Sequence, residues 1–235
     1  MTVGYRQFCP VAKAAELLCE RWTLLVAREL IAGSRHFNEL RRGLPRMSPT
    51  LLSTRLSQLV ASGVIRRSAE GPMQHAYELT QAGQELVPLI ETMGVWGHRW
   101  VSKHLHDDDL DAGLLMWDIG RGVDSSVLPE RRVVIEVELT DAPRDRRHWW
   151  LVSEAEHVDL CLEDPGHEVD LLIRATVRML TSVWMCRLSL DEARHTGDIT
   201  LSGPERLKRL MPRWLIGSPL ARLGAQSLVA RPIGA

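Results

Sequence analysis

Four small hydroxyl residues, Thr50, Ser53, Thr54 and Ser57, recur at intervals of three and four, so a helix gathers them on one face. A solvated helix face normally carries Glu, Lys and Gln, which have better helix propensity and hydration; short hydroxyls fit close approach to another surface. Arg35, His36, Arg46 and Arg55 lie nearby in sequence, and Arg66 and Arg67 follow. Hydroxyls beside guanidinium forks suit hydrogen bonding to base edges and phosphates rather than bond-making chemistry. Plainer readings exist. Arg55 could pair with an acidic neighbour, and on a strand at least one of Arg66 and Arg67 faces solvent.

Nothing else in the chain has the pattern of a reactive site. His148, His157, His167 and His195 lack metal-ligand spacing, and Cys9, Cys19, Cys161 and Cys186 contain no C-x-x-C pair. No nucleophile has a base of any specificity close in sequence, and Gly120-Arg121-Gly122 is too short for a phosphate cradle. Asp118, Glu136 and Glu138 read as solvated charges. The chain is therefore read as a non-enzyme without metal or cofactor. No secretory segment and no membrane-spanning run is evident, which points to a soluble protein of the reducing cytoplasm.

The elements that must position the hydroxyls and arginines follow in order. Pro10 opens a first helix with Val11, Ala14, Ala15 and Leu18 on one side, and Trp22 begins a second that ends at Gly33. Ser34 is the expected cap of a short third helix carrying Phe37 and Leu40. Gly43 and Pro45 turn the chain, and Ser48-Pro49 start a fourth helix that stops at Gly63, its Leu52, Leu56 and Leu59 facing inward. Strands at 64–68 and 75–79 flank a turn at Glu70-Gly71-Pro72. Thr80 caps a long helix running through Trp100, with Leu86, Leu89, Ile90, Met93, Trp96 and Trp100 as its apolar positions. Gly83, Gly94 and Gly97 cost about 1 kcal/mol each inside a helix, a cost that close helix approach would offset; the spacing predicts a dimer seam here, or a bent helix packed on its own domain. Helix, helix, corner, helix and hairpin make a winged helix-turn-helix, whose capped fourth helix can enter a major groove about 12 Å wide.

Charge supports a division near residue 106. Residues 1–106 carry 13 Lys and Arg against 8 Asp and Glu, a formal +5, and residues 107–235 carry 16 against 22, a formal −6. At 235 residues, with 45% hydrophobic and 25% charged content, the chain suits two folded domains, 1–106 and 107–235.

Several ordered motifs then carry a family resemblance. Cys9-Pro10-Val11, Glu20-Arg21-Trp22-Thr23-Leu24-Leu25, Arg35-His36-Phe37-Asn38-Glu39-Leu40, Ser48-Pro49 with Leu52-Ser53-Thr54-Arg55-Leu56, and Tyr77-Glu78-Leu79-Thr80 with Ala82-Gly83 resemble the HxlR family of bacterial transcriptional regulators. The resemblance covers residues 8–100. It implies a homodimer that binds an inverted-repeat operator in double-stranded DNA. It further implies, for Cys9, either redox sensing as in some members or a merely structural thiol.

The second segment reads as an acidic hinge at 107–111, strands at 133–139, 149–152, 158–162 and 169–175, a helix from Thr176 to Arg187, a short strand at 199–201 and a helix ending near Trp214. Its tail after Gly217 is weakly patterned. Strands followed by helices predict an α+β layer. The run from Val169 to Trp214 resembles the sterol-carrier-protein-2-like fold, and that resemblance implies an apolar cavity walled by Met179, Val183, Trp184, Leu207, Leu210 and Trp214; plain core packing is the alternative. The whole reads as a dimeric DNA-binding regulator controlled by an apolar or amphipathic small molecule. A constitutive regulator whose second domain serves dimerisation or protein contact is the rival, and a lipid carrier retaining a degenerate winged helix is a third reading.

Overall fold

Pro10 stands first in α1 (Pro10–Leu18), where its missing N–H has no intrahelical acceptor to lose. Trp22, in left-handed backbone at φ 78, turns the chain into α2 (Thr23–Ile31). The structure, a computed structural model, describes residues 4–70, 75–101, 105–155 and 157–229. Its contacts divide the chain into two units, Met1–Thr92 and Met93–Ala235.

In the first unit, α3 (Phe37–Gly43) begins at His36 rather than at Ser34. The Glu39 carboxylate accepts from the backbone N–H groups of Arg35 at 2.7 Å and His36 at 3.0 Å. Ser34 is instead buried and donates to Glu29 Oε2 at 3.2 Å, because a carboxylate with no exposed surface must have donors. Ser48 caps α4 (Pro49–Ala61) by accepting from the Leu51 N–H at 3.3 Å. Leu52, Leu56 and Leu59 of α4 join Val26, Leu30, Leu40, Leu44, Met47, Val64 and Ile65 in one core. Strands β1 (Ile65–Ala69) and β2 (His75–Leu79) pair antiparallel, and most of the predicted turn, Gly71 and Pro72, lies outside the described residues.

The long helix predicted from Thr80 is interrupted. Thr80 caps only α5 (Gln81–Gln84), and α6 (Val87–Trp96) begins afresh before a π-helical turn at Gly97–Val101. Pro88 explains the break: its ring clashes with the carbonyl four residues back and it has no N–H to donate. The close approach expected at the glycines occurs within this chain at two of the three: a Cβ on Gly83 would lie 2.3 Å from the Val64 carbonyl oxygen, whereas Gly97 has nothing within 4 Å. Gly94 meets Leu220 of α11 (Pro219–Val229), and a Cβ on Gly224 would lie 2.7 Å from the His98 ring. The tail that looked weakly patterned is thus an ordered helix through Val229.

In the second unit the acidic run is tethered rather than hinge-like. Arg178 pairs with Asp107 and donates to the Leu105 carbonyl at 2.7 Å, while Asp111 caps α7 (Ala112–Gly122) by accepting from the Leu114 N–H at 2.9 Å. Strands β3 (Val133–Leu139), β4 (His148–Glu154), β5 (His157–Cys161), β6 (Leu171–Ala175) and β7 (Ile199–Ser202) form one sheet in the order β5-β4-β3-β6-β7. Only the β3–β6 pair is parallel. Val133, Ile135, Val137 and Leu139 face a core shared with α7, α8 (Val177–Trp184), α9 (Leu190–His195) and α10 (Glu205–Trp214). On the opposite face Glu136 meets His148 Nδ1 at 2.8 Å, and Glu138 accepts from Arg174 at 2.5 Å. Where β3 enters the sheet, burial pushes the Asp170 carboxyl up. Arg131 and the Val134 N–H more than offset that and hold it below the usual range. Among the described residues no helix is long and apolar enough to cross a membrane.

A Cβ on Gly43 would fall 1.9 Å from Glu29 Oε2. Gly43→Ala is expected to cost about 1–3 kcal/mol, read as a lower urea midpoint at unchanged slope. An unchanged midpoint would mean that the carboxylate can move aside.

Candidate nucleic-acid interface

The α4 helix is divided sharply between its two faces. Leu52, Leu56 and Leu59 are at most 1% exposed, whereas Thr50, Ser53, Thr54 and Ser57 are all exposed. The Thr54 hydroxyl donates to the Thr50 carbonyl and the Ser57 hydroxyl to the Ser53 carbonyl, each at 2.9 Å. Those two protons are spent on the backbone, so both oxygens offer acceptor lone pairs outward. Ser48 is occupied as the cap.

Arg55 does not join this face. It is 9% exposed, and its guanidinium donates to the Arg21 carbonyl at 3.0 Å, Glu20 Oε2 at 2.9 Å and Gln58 Oε1 at 2.6 Å. It therefore ties α4 to the α1–α2 corner. The plainer sequence reading, an acidic partner, describes its environment.

Beside α4, Arg35, Arg66 and His36 gather around two carboxylates, Glu70 and Glu78. Arg66 donates to Glu78 Oε2 through Nε at 2.8 Å and Nη2 at 2.5 Å, and Arg35 pairs with Glu78 Oε1 and, at 3.2 Å, with Glu70. The Arg66 hydrogen bond, with Arg35 adding to it, holds the Glu78 carboxyl below its ordinary value. His36 is half-buried, with Nδ1 3.3 Å from the His75 carbonyl and Nε2 3.6 Å from Glu70. Arg67 pairs in register with Tyr77 and points to the other side of the hairpin from Arg66, and Arg46 is exposed at the corner before α4. The sequence reading named the arginines but missed Glu70 and Glu78. The hairpin register that sets Glu78 opposite Arg66 depends on turn length, which composition does not specify.

The predicted dimer stripe is split. Leu89, Met93, Trp96 and Trp100 are 44–59% exposed at helical spacing, while Ile90 is buried and Leu86 is packed on the first core. Phe8, fully exposed, adds apolar surface that the sequence reading did not assign, and so does Val11, which was expected on the apolar side of α1 and is 76% exposed.

The six candidate cavity residues are mostly interior. Val183, Trp184, Leu207 and Trp214 are at most 7% exposed, and Met179 and Leu210 are half-buried. All but Met179 pack in the continuous core. Val183 also borders an open cleft of about 660 Å³, together with Leu188, Leu215, Ile216, Cys186 and Arg222. Burial pushes the Cys186 thiol up there. All four cysteines are free thiols; Cys9 is half-buried just before α1 and makes no capping bond. Among the described residues no group of three or more His, Cys, Asp and Glu could hold a metal ion.

A capped helix with an exposed hydroxyl face, flanked by a two-stranded hairpin that carries arginines, belongs to the class of helix-turn-helix DNA-binding regulators. Residues 17–105 match the HxlR-like helix-turn-helix family. The chain is 34% identical over 104 residues to the uncharacterized HTH-type transcriptional regulator YvaP of Bacillus subtilis, covering 43% of this chain and 96% of that one. It is 41% identical over 95 residues to the uncharacterized HTH-type regulator Rv3095 of Mycobacterium tuberculosis, 40% of this chain and 60% of that one. Among solved structures it is similar to the redox regulator HypR in its reduced form, at 28% identity and a TM-score of 0.36 over 38% of this chain and 90% of that one. The chain belongs to the HxlR-like family, and the relatives it matches are HTH-type transcriptional regulators.

The two arginine environments separate experimentally. Arg55→Ala removes hydrogen bonds to a charged partner and is expected to lower stability by about 1.5–3 kcal/mol. Arg66, 70% exposed along its side chain, should change the urea midpoint little when replaced by Ala. Equal destabilisation by both would contradict the inward role of Arg55.

Proposed function

We propose that this protein is a dimeric, sequence-specific DNA-binding transcriptional regulator, with DNA binding and pairing carried by residues 1–106 and a separate role by residues 107–235. Thr50, Ser53, Thr54 and Ser57 face base edges in the major groove, while Arg35, Arg46, Arg66 and Arg67 meet phosphates. The carrying observation is the division of α4, apolar residues sealed on one side and hydroxyls bare on the other. Exposed Leu89, Met93, Trp96 and Trp100 support pairing of two copies, which would read half-sites about 34–36 Å apart or a multiple of that.

Fluorescence anisotropy on a duplex enriched from a random pool, against mixed-sequence DNA, tests the groove assignment. Thr50→Ala with Ser53→Ala should erode preference for the enriched site more than total affinity. Arg66→Ala should weaken binding to both duplexes and reduce the salt slope by about 1. Equal losses in all variants would overturn the assignment. Trp96→Glu should yield monomers in sedimentation, and an unchanged dimer would remove the proposed seam.

For the second unit, the strand-then-helix layer supports the sterol-carrier-like reading, but burial of Val183, Trp184, Leu207 and Trp214 in the continuous core favours plain packing for those four. We place an amphipathic effector in the open cleft beside Val183, within the usual size for small-molecule sites. The packed core favours the constitutive regulator as second reading. Titration with decanoate should raise the melting temperature if the cleft binds such molecules; no shift at any soluble concentration favours the second reading.

A further inference from the structure

The geometry points to Glu78 as a positioning residue that aims Arg35 and Arg66 at DNA and restrains sequence-blind attraction to it. This rests on the wing reading given above, and goes beyond it by assigning a role to an acidic residue on a surface meant for a polyanion.

Three observations carry it. First, one carboxylate serves two arginines from different parts of the chain: Oε2 accepts from Arg66 on β1, and Oε1 pairs with Arg35 just before α3. Second, the backbone under this cluster is pinned. Arg66 and Glu78 are direct cross-strand partners, the Tyr77 N–H donates to the Arg35 carbonyl at 2.8 Å, and His36 bridges to Ala76. Third, exposure rises from the carboxylate outward, with side chains 26% exposed for Glu78, 50% for Arg35 and 70% for Arg66.

The acid therefore lies beneath the two cations. A guanidinium holds five N–H donors in one plane. Glu78 takes the Nε–Nη2 edge of Arg66, and the Nη1 donors lie outside that pairing, a fork for a phosphate. An arginine held at its base keeps that direction when DNA arrives. The carboxylate also cancels part of the local positive charge, and such charge attracts every duplex alike. Like any carboxylate whose pKa is not raised, it is ionised at neutral pH, and its two arginines hold its pKa below the ordinary value. Removing it would free two cations to follow any phosphate, so total attraction would rise while discrimination fell.

The test uses the full chain with the enriched and mixed-sequence duplexes. Glu78→Gln keeps shape and removes charge. It should tighten binding to mixed-sequence DNA, steepen the salt dependence, and lower the enriched-to-mixed affinity ratio by about three- to tenfold. In a background carrying both Arg35→Gln and Arg66→Gln the same change should leave the ratio nearly unmoved. The exchange R66E with E78R keeps a cross-strand ion pair but should not restore preference, which separates aiming from simple hairpin stability. If Glu78→Gln fails to fold, Glu78→Asp retains the charge at a shorter reach; it should lower the ratio without tightening mixed-sequence binding. An unchanged ratio and salt slope in the Glu78 variants, or an equal fall with and without the two arginines, overturns the inference. Should Arg35→Gln and Arg66→Gln themselves leave DNA binding untouched, the wing reading falls with it; if they weaken binding while Glu78 variants behave as wild type, only the Glu78 inference falls.

Discussion

Glu29 sits with no exposed surface where α2, the turn after it and the end of α3 come together. Arg28 Nη2 donates to it at 2.5 Å and to the Gly43 carbonyl at 3.2 Å, and Ser34 donates to its other oxygen. A buried carboxylate is tolerable only when its oxygens are met by donors and charge. Meeting that demand brings α2 and α3 together at a fixed approach, with Gly43 bare so that the acid fits. The corner from Leu44 to Met47 starts from that point, and the direction of α4 follows from it. Arg55 makes a second tie from the middle of α4 back to Glu20 and Arg21. Two charged interactions below the surface thus hold steady a helix whose outer face is made only of small hydroxyls.

How much of this was legible in the sequence depended on whether a signal was local. The α4 helix was plain from Ser48-Pro49 and from the leucine spacing, because capping and periodicity act within a few residues. Arg55 carried a readable clue as well. It lies three residues after Leu52 and four before Leu59, on the buried side, and its charge drew it toward the wrong surface. Glu29 already fell in the apolar stripe of α2, which marks a buried acid. Helix α7 was missed although Asp111 is a good cap and Leu115, Met116 and Ile119 suit a core face. Its three glycines lower helix propensity, which records the entropy they lose and not the packing they permit.

In the second unit the strands were recognisable one by one, and their order was not. The pairing of β3 with β6 joins residues separated by a whole antiparallel hairpin, and only the packing of the finished sheet selects it. The candidate cavity walls could not be told from ordinary core for a related reason. Val183, Trp184, Leu207 and Trp214 have the spacing of inward residues whether the interior is hollow or filled, and all four are buried. Hydrophobic period reports a face; it carries no information on the space beyond that face.

The contact of α11 with the π-helical turn has a bearing on how such regulators exchange modules. The family match runs to residue 105, yet Gly94 and His98, inside that match, lie against Leu220 and Gly224 from the far end of the chain. A crossover at the apparent joint would graft a new appendage while stripping the closing helix from the old stalk. Any successful recombination of this architecture must therefore inherit two separated stretches at once, which makes the appended half harder to shed than its position in the sequence suggests.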